Sequence, residues 1–208
     1  METAFFSQRI TNEQQLRELM GYPGELVSKK ATNRLDDHCR QFISQAPMLF
    51  LATSDDTGSC DVSPRGDAPG FVRVLDESRL AIPERPGNRR FDSLRNILVN
   101  PQVGLIFIIP NLNETLRVNG KACIVTDGDL LRSMAVGGKE PLLAIGVEVK
   151  ECYIHCAKAF LRSKLWQPDS WQPNSRLPNP SAILAAHTGA NVDQVASALR
   201  DSYEKRLY

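Results

Sequence analysis

From Met48 onward the chain alternates apolar and polar positions in short runs. "MLFLATS", "CDVSPRG", "FVRVLD" and "RLAIPE" have strand length, and the turn-formers "DDTG", "GDAPG" and "DES" separate them. That spacing predicts consecutive antiparallel strands. Phe91, Leu94, Ile97 and Leu98 then recur at helical intervals until "NP" ends the pattern, so one helix interrupts the strands. "QVGLIFIIP" is a continuous apolar run of strand length. "ETLRVNGKACIVTD" alternates as a long strand with Gly120 as the expected bulge, "DGDLLRSMAV" reads as a short helix, and "PLLAIGVEVKECYIHC" supplies the last strand. The pattern predicts a mainly β fold with flanking helices, a closed or nearly closed antiparallel β-barrel of six strands.

Helical periodicity governs both ends. "TNEQQLRELMG" carries a capping-box pattern from Thr11 to Gln14, and "LDDHCRQFISQA" spaces Leu35, Cys39, Phe42 and Ile43 along one face. Past the last strand, a short basic helix in "AKAFLRSKLW" leads into a stretch rich in Pro, Trp and Asn, expected to be an ordered arm over a surface. Val192, Val195, Leu199 and Tyr203 then mark a final amphipathic helix. The expected layout is an N-terminal helical segment over residues 1–47 packed on a barrel of 48–165, followed by a C-terminal arm and helix over 166–208. No internal repeat or low-complexity tract breaks it.

Composition narrows the function. A chain of 208 residues suits one substantial domain, and 25 basic against 24 acidic residues leave no global field for a polyanion. Any basic site must be local, and nucleic-acid binding is not expected because the arginines are not interleaved with aromatics along one stripe. No apolar run approaches membrane-spanning length, so a cytoplasmic protein without a membrane partner is the expectation. Five cysteines without paired spacing fit a reducing compartment better than a disulfide framework. Cys152, His155 and Cys156 cluster in "ECYIHC", but a closed zinc site wants four ligands and nothing nearby completes one. Half-buried thiols at a strand end are the reading there, and no metal is expected. His38 and His187 are isolated, which points to surface or structural roles.

Candidate chemistry gathers in "PERPGNRRFDS". With Asn88 as N-cap, Arg89 and Arg90 fall at the first positions of the interrupting helix, where their charge opposes the helix dipole. An anion in front of them reverses that sign, gaining the dipole, the free N–H groups and charge-assisted contacts together. A phosphate ester fits best; the alternative is a pair of solvated arginines flanking a loop. Arg65 ends the "CDVSPRG" run beside Ser63 and converges on the same anion if that strand neighbours "RLAIPE". Arg117 lies on a strand heading into the core, where a charge needs a partner.

The ordered blocks "ATSDDTGSCDVSPRG", "LAIPERPGNRRFDSLRNILVNPQVGLIFIIP" and "LRVNGKA" resemble the FMN-binding split barrel of the pyridoxamine 5′-phosphate oxidase-like flavoproteins, from about Met48 to Lys164. "HCAKAFLRSKLW" is similar to the ending of a bacterial subgroup. The resemblance implies that Ser63, Arg65, Ile82 and Pro83 lie along the isoalloxazine ring. Asn88, Arg89 and Arg90 match the phosphate-holding positions, with Arg117 as a further cofactor contact. Lys158, Arg162, Ser163 and Trp166 would reach the flavin of a neighbouring subunit. It further implies a homodimer with FMN at its interface, a small-molecule substrate, and NAD(P)H or another reductant. Exposed apolar strands such as "LIFII", and an arm carrying Trp166 and Trp171, are compatible with an isologous pair.

The true oxidases carry an arginine-x-histidine signature near the C-terminus. Here Arg176 is followed by Leu177 and Pro178, which argues against vitamin B6 oxidation. A flavin performs the redox chemistry itself, so no separate catalytic base is expected; Asp67 and Glu84 are candidates by position only. Arg65 at the ring's pyrimidine edge would stabilise the anionic reduced flavin. The expectation is thus an FMN-dependent oxidoreductase. A flavin- or haem-binding module without turnover, or a protein using a deazaflavin, is the alternative.

Overall fold

The computed structural model describes residues 6–208, which fall into two compact units divided after Ala31; the first five residues of the expected N-terminal segment lie outside that range. The first unit holds α1 (Glu13–Met20) and α2 (Glu25–Lys29). Its N-cap is Asn12, one residue beyond the Thr11 of the expected box, and the Asn12 amide oxygen accepts from the Gln15 N–H at 2.9 Å. Gln15 Oε1 accepts from the Thr11 N–H at 3.0 Å. Asn caps as well as Thr, and here the return bond from the side chain at the third helical position reaches the N–H of Thr11, the residue before the cap, rather than that of the cap itself.

The second unit begins with α3 (Asp37–Gln45) and continues through β1 (Met48–Ser54), β2 (Cys60–Gly66), β3 (Arg73–Val74) and β4 (Arg79–Pro83). Then come α4 (Asp92–Val99), β5 (Gln102–Ile108), β6 (Thr115–Val125), α5 (Gly128–Ser133) and β7 (Ala144–His155). Three α-helices follow, α6 (Lys158–Ser163), α7 (Pro180–Thr188) and α8 (Val192–Lys205), with two short 3-10 turns between the first two. The strands form one antiparallel sheet in the order β2-β1-β5-β6-β7-β4-β3. It has seven strands where the pattern predicts six, and β3 is only two residues long because Phe71 and Val72 of the "FVRVLD" run turn into the core. The backbone ladder does not close: β2 and β3 are its edges. Pro64 is tolerated in β2 because an edge strand can spare an N–H.

Alternation sets the core face. Leu49 and Leu51 of β1, Val103, Leu105 and Phe107 of β5, Leu116 and Val118 of β6, and Val147 and Val149 of β7 all turn inward. One cluster joins them to Leu80 and Ile82 of β4, Cys39 and Ile43 of α3, and Leu94 and Ile97 of α4. On β7 the inward positions jump from Val149 to Cys152. Asn119 faces Glu151 while Gly120 faces Val149, which leaves Lys150 as an extra residue and shifts the period by one. Gly120 is required opposite this bulge, because a Cβ there would stand 2.2 Å from the Glu148 carbonyl oxygen.

α4 is held by polar as well as apolar contacts. The buried Asn96 amide donates to Thr53 Oγ1 at 3.0 Å and to Asp61 Oδ2 at 2.9 Å. Both acceptors lie on β1 and β2, so this helix is fixed over the β2 edge.

Candidate functional site

β4 stops at Pro83 and the chain turns before entering α4. Asn88 does cap, but locally: its Oδ1 accepts from the Arg90 N–H two residues on, at 3.0 Å, so it makes a turn rather than a helix start. Arg89 and Phe91 both adopt left-handed backbone, with φ of 62° and 60°. α4 begins only at Asp92, with Phe91 in the cap position and no side chain accepting from the first turn. The expected placement of Arg89 and Arg90 at the first helical positions is therefore corrected: both precede the helix. Two non-glycine residues in the left-handed region cost roughly 1–2 kcal/mol each, and such strain clusters where a backbone is shaped for a ligand.

This turn walls a cavity of about 390 Å³, within the roughly 300–1,000 Å³ usual for small-molecule clefts. Ser63, Arg65, Pro83, Asn88, Arg89 and Arg90 all line it. Two groups not singled out in the sequence join them. Ser93 lies 3.0 Å from Ser63 through their hydroxyl oxygens, which ties α4 to β2 at the cavity wall, and Arg85 forms part of the rim.

β2 and β4 are not neighbours in the sheet, contrary to the hairpin expectation; β2 pairs with β1 and β4 with β7. The two edges are joined by side chains instead. Arg65 pairs with Glu84, both largely buried, and Arg85 Nε meets Asp67 Oδ2 at 2.7 Å. Arg85 also donates to the Met134 carbonyl at 2.9 Å, and the Tyr208 hydroxyl donates to Asp67 Oδ1 at 2.8 Å. Asp67 and Glu84, candidates by position, are thus partners in crossed ion pairs. The signal that could have found Arg85 is the complementary order of "RGD" and "ER", which lets two pairs of opposite polarity stack side by side.

Arg65 is only half used by its partner. Among the described residues, its Nε is the one buried side-chain nitrogen or oxygen without a hydrogen-bond partner. Glu84 offsets its charge, so the guanidinium at this wall is a paired one. Arg90 is paired more loosely, at 2.9 Å from Asp92 on the surface.

The remaining residues lie elsewhere on this chain. Ile82 is fully buried in the core, one position before the cavity-lining Pro83. Arg117 sits on the sheet face opposite the core, donating to Asn119 Oδ1 at 3.2 Å with its guanidinium 5.7 Å from the Tyr153 ring centre. Lys158, Arg162 and Ser163 are exposed on α6, and Trp166 stacks on Phe160 and donates to the Leu112 carbonyl at 2.9 Å. None of these six lines the cavity. In "ECYIHC", Cys152 points into the core whereas His155 and Cys156 are exposed.

Asp67 governs an acid response. Burial raises its pKa, but the Tyr208 hydroxyl, the Ala68 N–H and Arg85 together outweigh burial, and the net direction is down. A carboxylate depressed by folding stabilises above its unfolded pKa and loses that contribution as pH falls through the folded value. We expect Asp67→Asn to flatten the loss of stability between about pH 5 and pH 2, read from urea melts at each pH. An unaltered slope would mean that Asp67 is not a source of the acid response.

The donors present suit a phosphate group. Guanidinium groups, a Ser pair and the start of α4, which no side chain caps, are the groups able to hold it, while Pro83 and Phe71 supply apolar wall. No curated protein matches the chain. Among solved structures it is similar to HupZ of Group A Streptococcus, at 17% identity over 57% of this chain and 92% of that one (TM-score 0.47). It is also similar to an FMN-binding protein from Syntrophomonas wolfei, at 9% identity over 56% and 88% (TM-score 0.42). The heme storage protein HutZ from Vibrio cholerae matches at 19% identity over 59% and 94% (TM-score 0.42). The family model described as pyridoxamine 5′-phosphate oxidase matches residues 35–156, from the residue before α3's N-cap to just past β7, and the chain belongs to that family.

Proposed function

We propose that the protein binds FMN in the cavity between β2, β4 and the turn before α4, and that it is an FMN-dependent oxidoreductase of the split-barrel class acting on a small molecule. The observation that carries this reading is the convergence of Arg65, Arg89 and Arg90 with the uncapped start of α4 on one space. Arg89, Arg90 and the N–H groups of that turn hold the phosphate; Ser63, Arg65 and Pro83 line the ring. Bound FMN supplies hydride or single-electron transfer, and the protein orients the substrate over it. The lining favours FMN over haem, since its donors are guanidinium, hydroxyl and main-chain groups rather than the imidazole or thiolate that hold haem iron.

The same reading makes the protein a homodimer. Phe50 and Ile106 leave apolar surface exposed on the outward sheet face beside Arg117, and a second copy would cover it. Lys158, Arg162, Ser163 and Trp166 would then serve the partner's cavity. NAD(P)H is the reductant to test first.

The test is a visible spectrum of the purified protein before and after incubation with FMN and desalting, followed by titration. Retained flavin bands, with Arg89→Ala and Arg90→Ala each weakening FMN about tenfold, are the expected result. A colourless protein that refuses FMN sinks the reading, and a Soret band on adding haem would replace it with the haem-binding one.

A further inference from the structure

Two of the five cysteines meet in the core although 113 residues separate them. Cys39 on α3 and Cys152 on β7 bring their sulfurs to 3.4 Å, with Cys152 fully buried and Cys39 nearly so. Neither takes part in the cavity. Their backbones are held: Cys152 exchanges hydrogen bonds with Thr32 at 2.7 and 3.0 Å, and the Cys39 N–H donates to the Asp36 cap at 2.8 Å. A disulfide needs about 2.0 Å between sulfurs, so closure asks for a movement of about 1.4 Å shared by two side chains.

We infer that Cys39 and Cys152 are an oxidation-sensitive dithiol that closes to an intramolecular disulfide when the protein meets a hydroperoxide. The inference is independent of the flavin reading.

The two sulfurs have unequal roles. Cys39 lies in the first turn of α3, and the Cys152 thiol donates its hydrogen bond to Cys39 Sγ. That donation lowers the Cys39 pKa and outweighs both burial and the nearby Asp36 carboxylate, which raise it, while the same pairing together with burial raises that of Cys152. Cys39 also keeps the little exposure the pair has. It is therefore the attacking group. Its sulfur takes one peroxide oxygen, the O–O bond breaks, and the departing oxygen leaves as water, giving a sulfenic acid on Cys39. Cys152 sulfur then attacks Cys39 sulfur; the S–S bond forms, the S–O bond breaks, and the hydroxyl leaves with the Cys152 proton as a second water. Two thiols are oxidised by two electrons and one hydrogen peroxide is reduced to two waters.

Cys60, Cys123 and Cys156 are exposed and provide an internal control. The full-length protein is treated with equimolar hydrogen peroxide, quenched, unfolded and alkylated. The expected result is an intact mass lighter by two hydrogens, three alkylated thiols instead of five, a Cys39–Cys152 cross-linked peptide in a non-reducing digest, and full reversal by dithiothreitol. In Cys152→Ser the reaction should stop at the sulfenic acid, trapped on Cys39 by dimedone. Oxygen addition or intermolecular disulfides at Cys60, Cys123 or Cys156, with Cys39 and Cys152 both alkylated after unfolding, would overturn the inference. The wild-type digest decides even if the serine variant fails to fold.

Discussion

Arg85→Ala is expected to destabilise the protein by about 3 kcal/mol, lowering the melting temperature by roughly 6–12 °C. The Asp67 carboxylate is 2% exposed, and Arg85 is the cation that faces it. Removing the cation leaves a buried charge with only the Tyr208 hydroxyl and the Ala68 N–H as donors. The loss is largely the penalty of that orphaned charge rather than the value of the contact, so Arg85→Ala combined with Asp67→Ala should recover part of it. Urea melts of the two single variants and the double variant form the cycle that measures the coupling. Additive losses would mean that water screens the pair and that the clasp contributes little.

Gly120→Ala should cost about as much or more, by a different mechanism. Its new methyl would stand 2.2 Å from the Glu148 oxygen and 3.1 Å from both the Glu148 carbonyl carbon and Val147 Cγ1. Two of those atoms are backbone, so no rotamer change relieves the clash; the bulge around Lys150 must move. Overpacking of this kind costs typically about 1–3 kcal/mol and more where backbone must shift. Gly87→Ala, with nothing within 4 Å of the added carbon and an ordinary φ, is the matched control for folding. Equal melting temperatures for the two variants would show that β7 adapts and that the bulge is soft.

What could be read from the sequence was whatever a short window contains. The alternation of Leu49 and Leu51, or of Val103, Leu105 and Phe107, names a strand and its inward face without reference to any other part of the chain. The bulge was legible for the same reason, as a glycine in a long alternating run, although the extra residue proved to be Lys150 on the facing strand. Strand order was not local. Assuming hairpins put β2 beside β4, whereas β4 pairs with β7 and the contact between β2 and β4 is made by side chains at the cavity rim.

Around the site, the cavity-lining residues Ser63, Arg65, Pro83, Asn88, Arg89 and Arg90 follow from two short motifs, so they were found together. The backbone around them was misread because an Asn that caps a helix and an Asn that closes a turn look alike in sequence; the N–H it accepts decides, and here that is Arg90's own. Arg85, Ser93 and the Cys39–Cys152 pair escaped notice because each acquires meaning only from a residue far away in the chain. An odd number of cysteines without paired spacing says nothing about which two a fold will bring into contact.

The crossed pairs Arg65–Glu84 and Asp67–Arg85 also determine how this sheet can breathe. Parting β4 from β7 would break a five-residue backbone ladder, and parting β1 from β2 a seven-residue one. Between β2 and the segment after β4 there are only side chains to let go. That seam beside the cavity is held by side chains alone, and an anionic ligand that engaged Arg65 would compete with Glu84 for the same guanidinium.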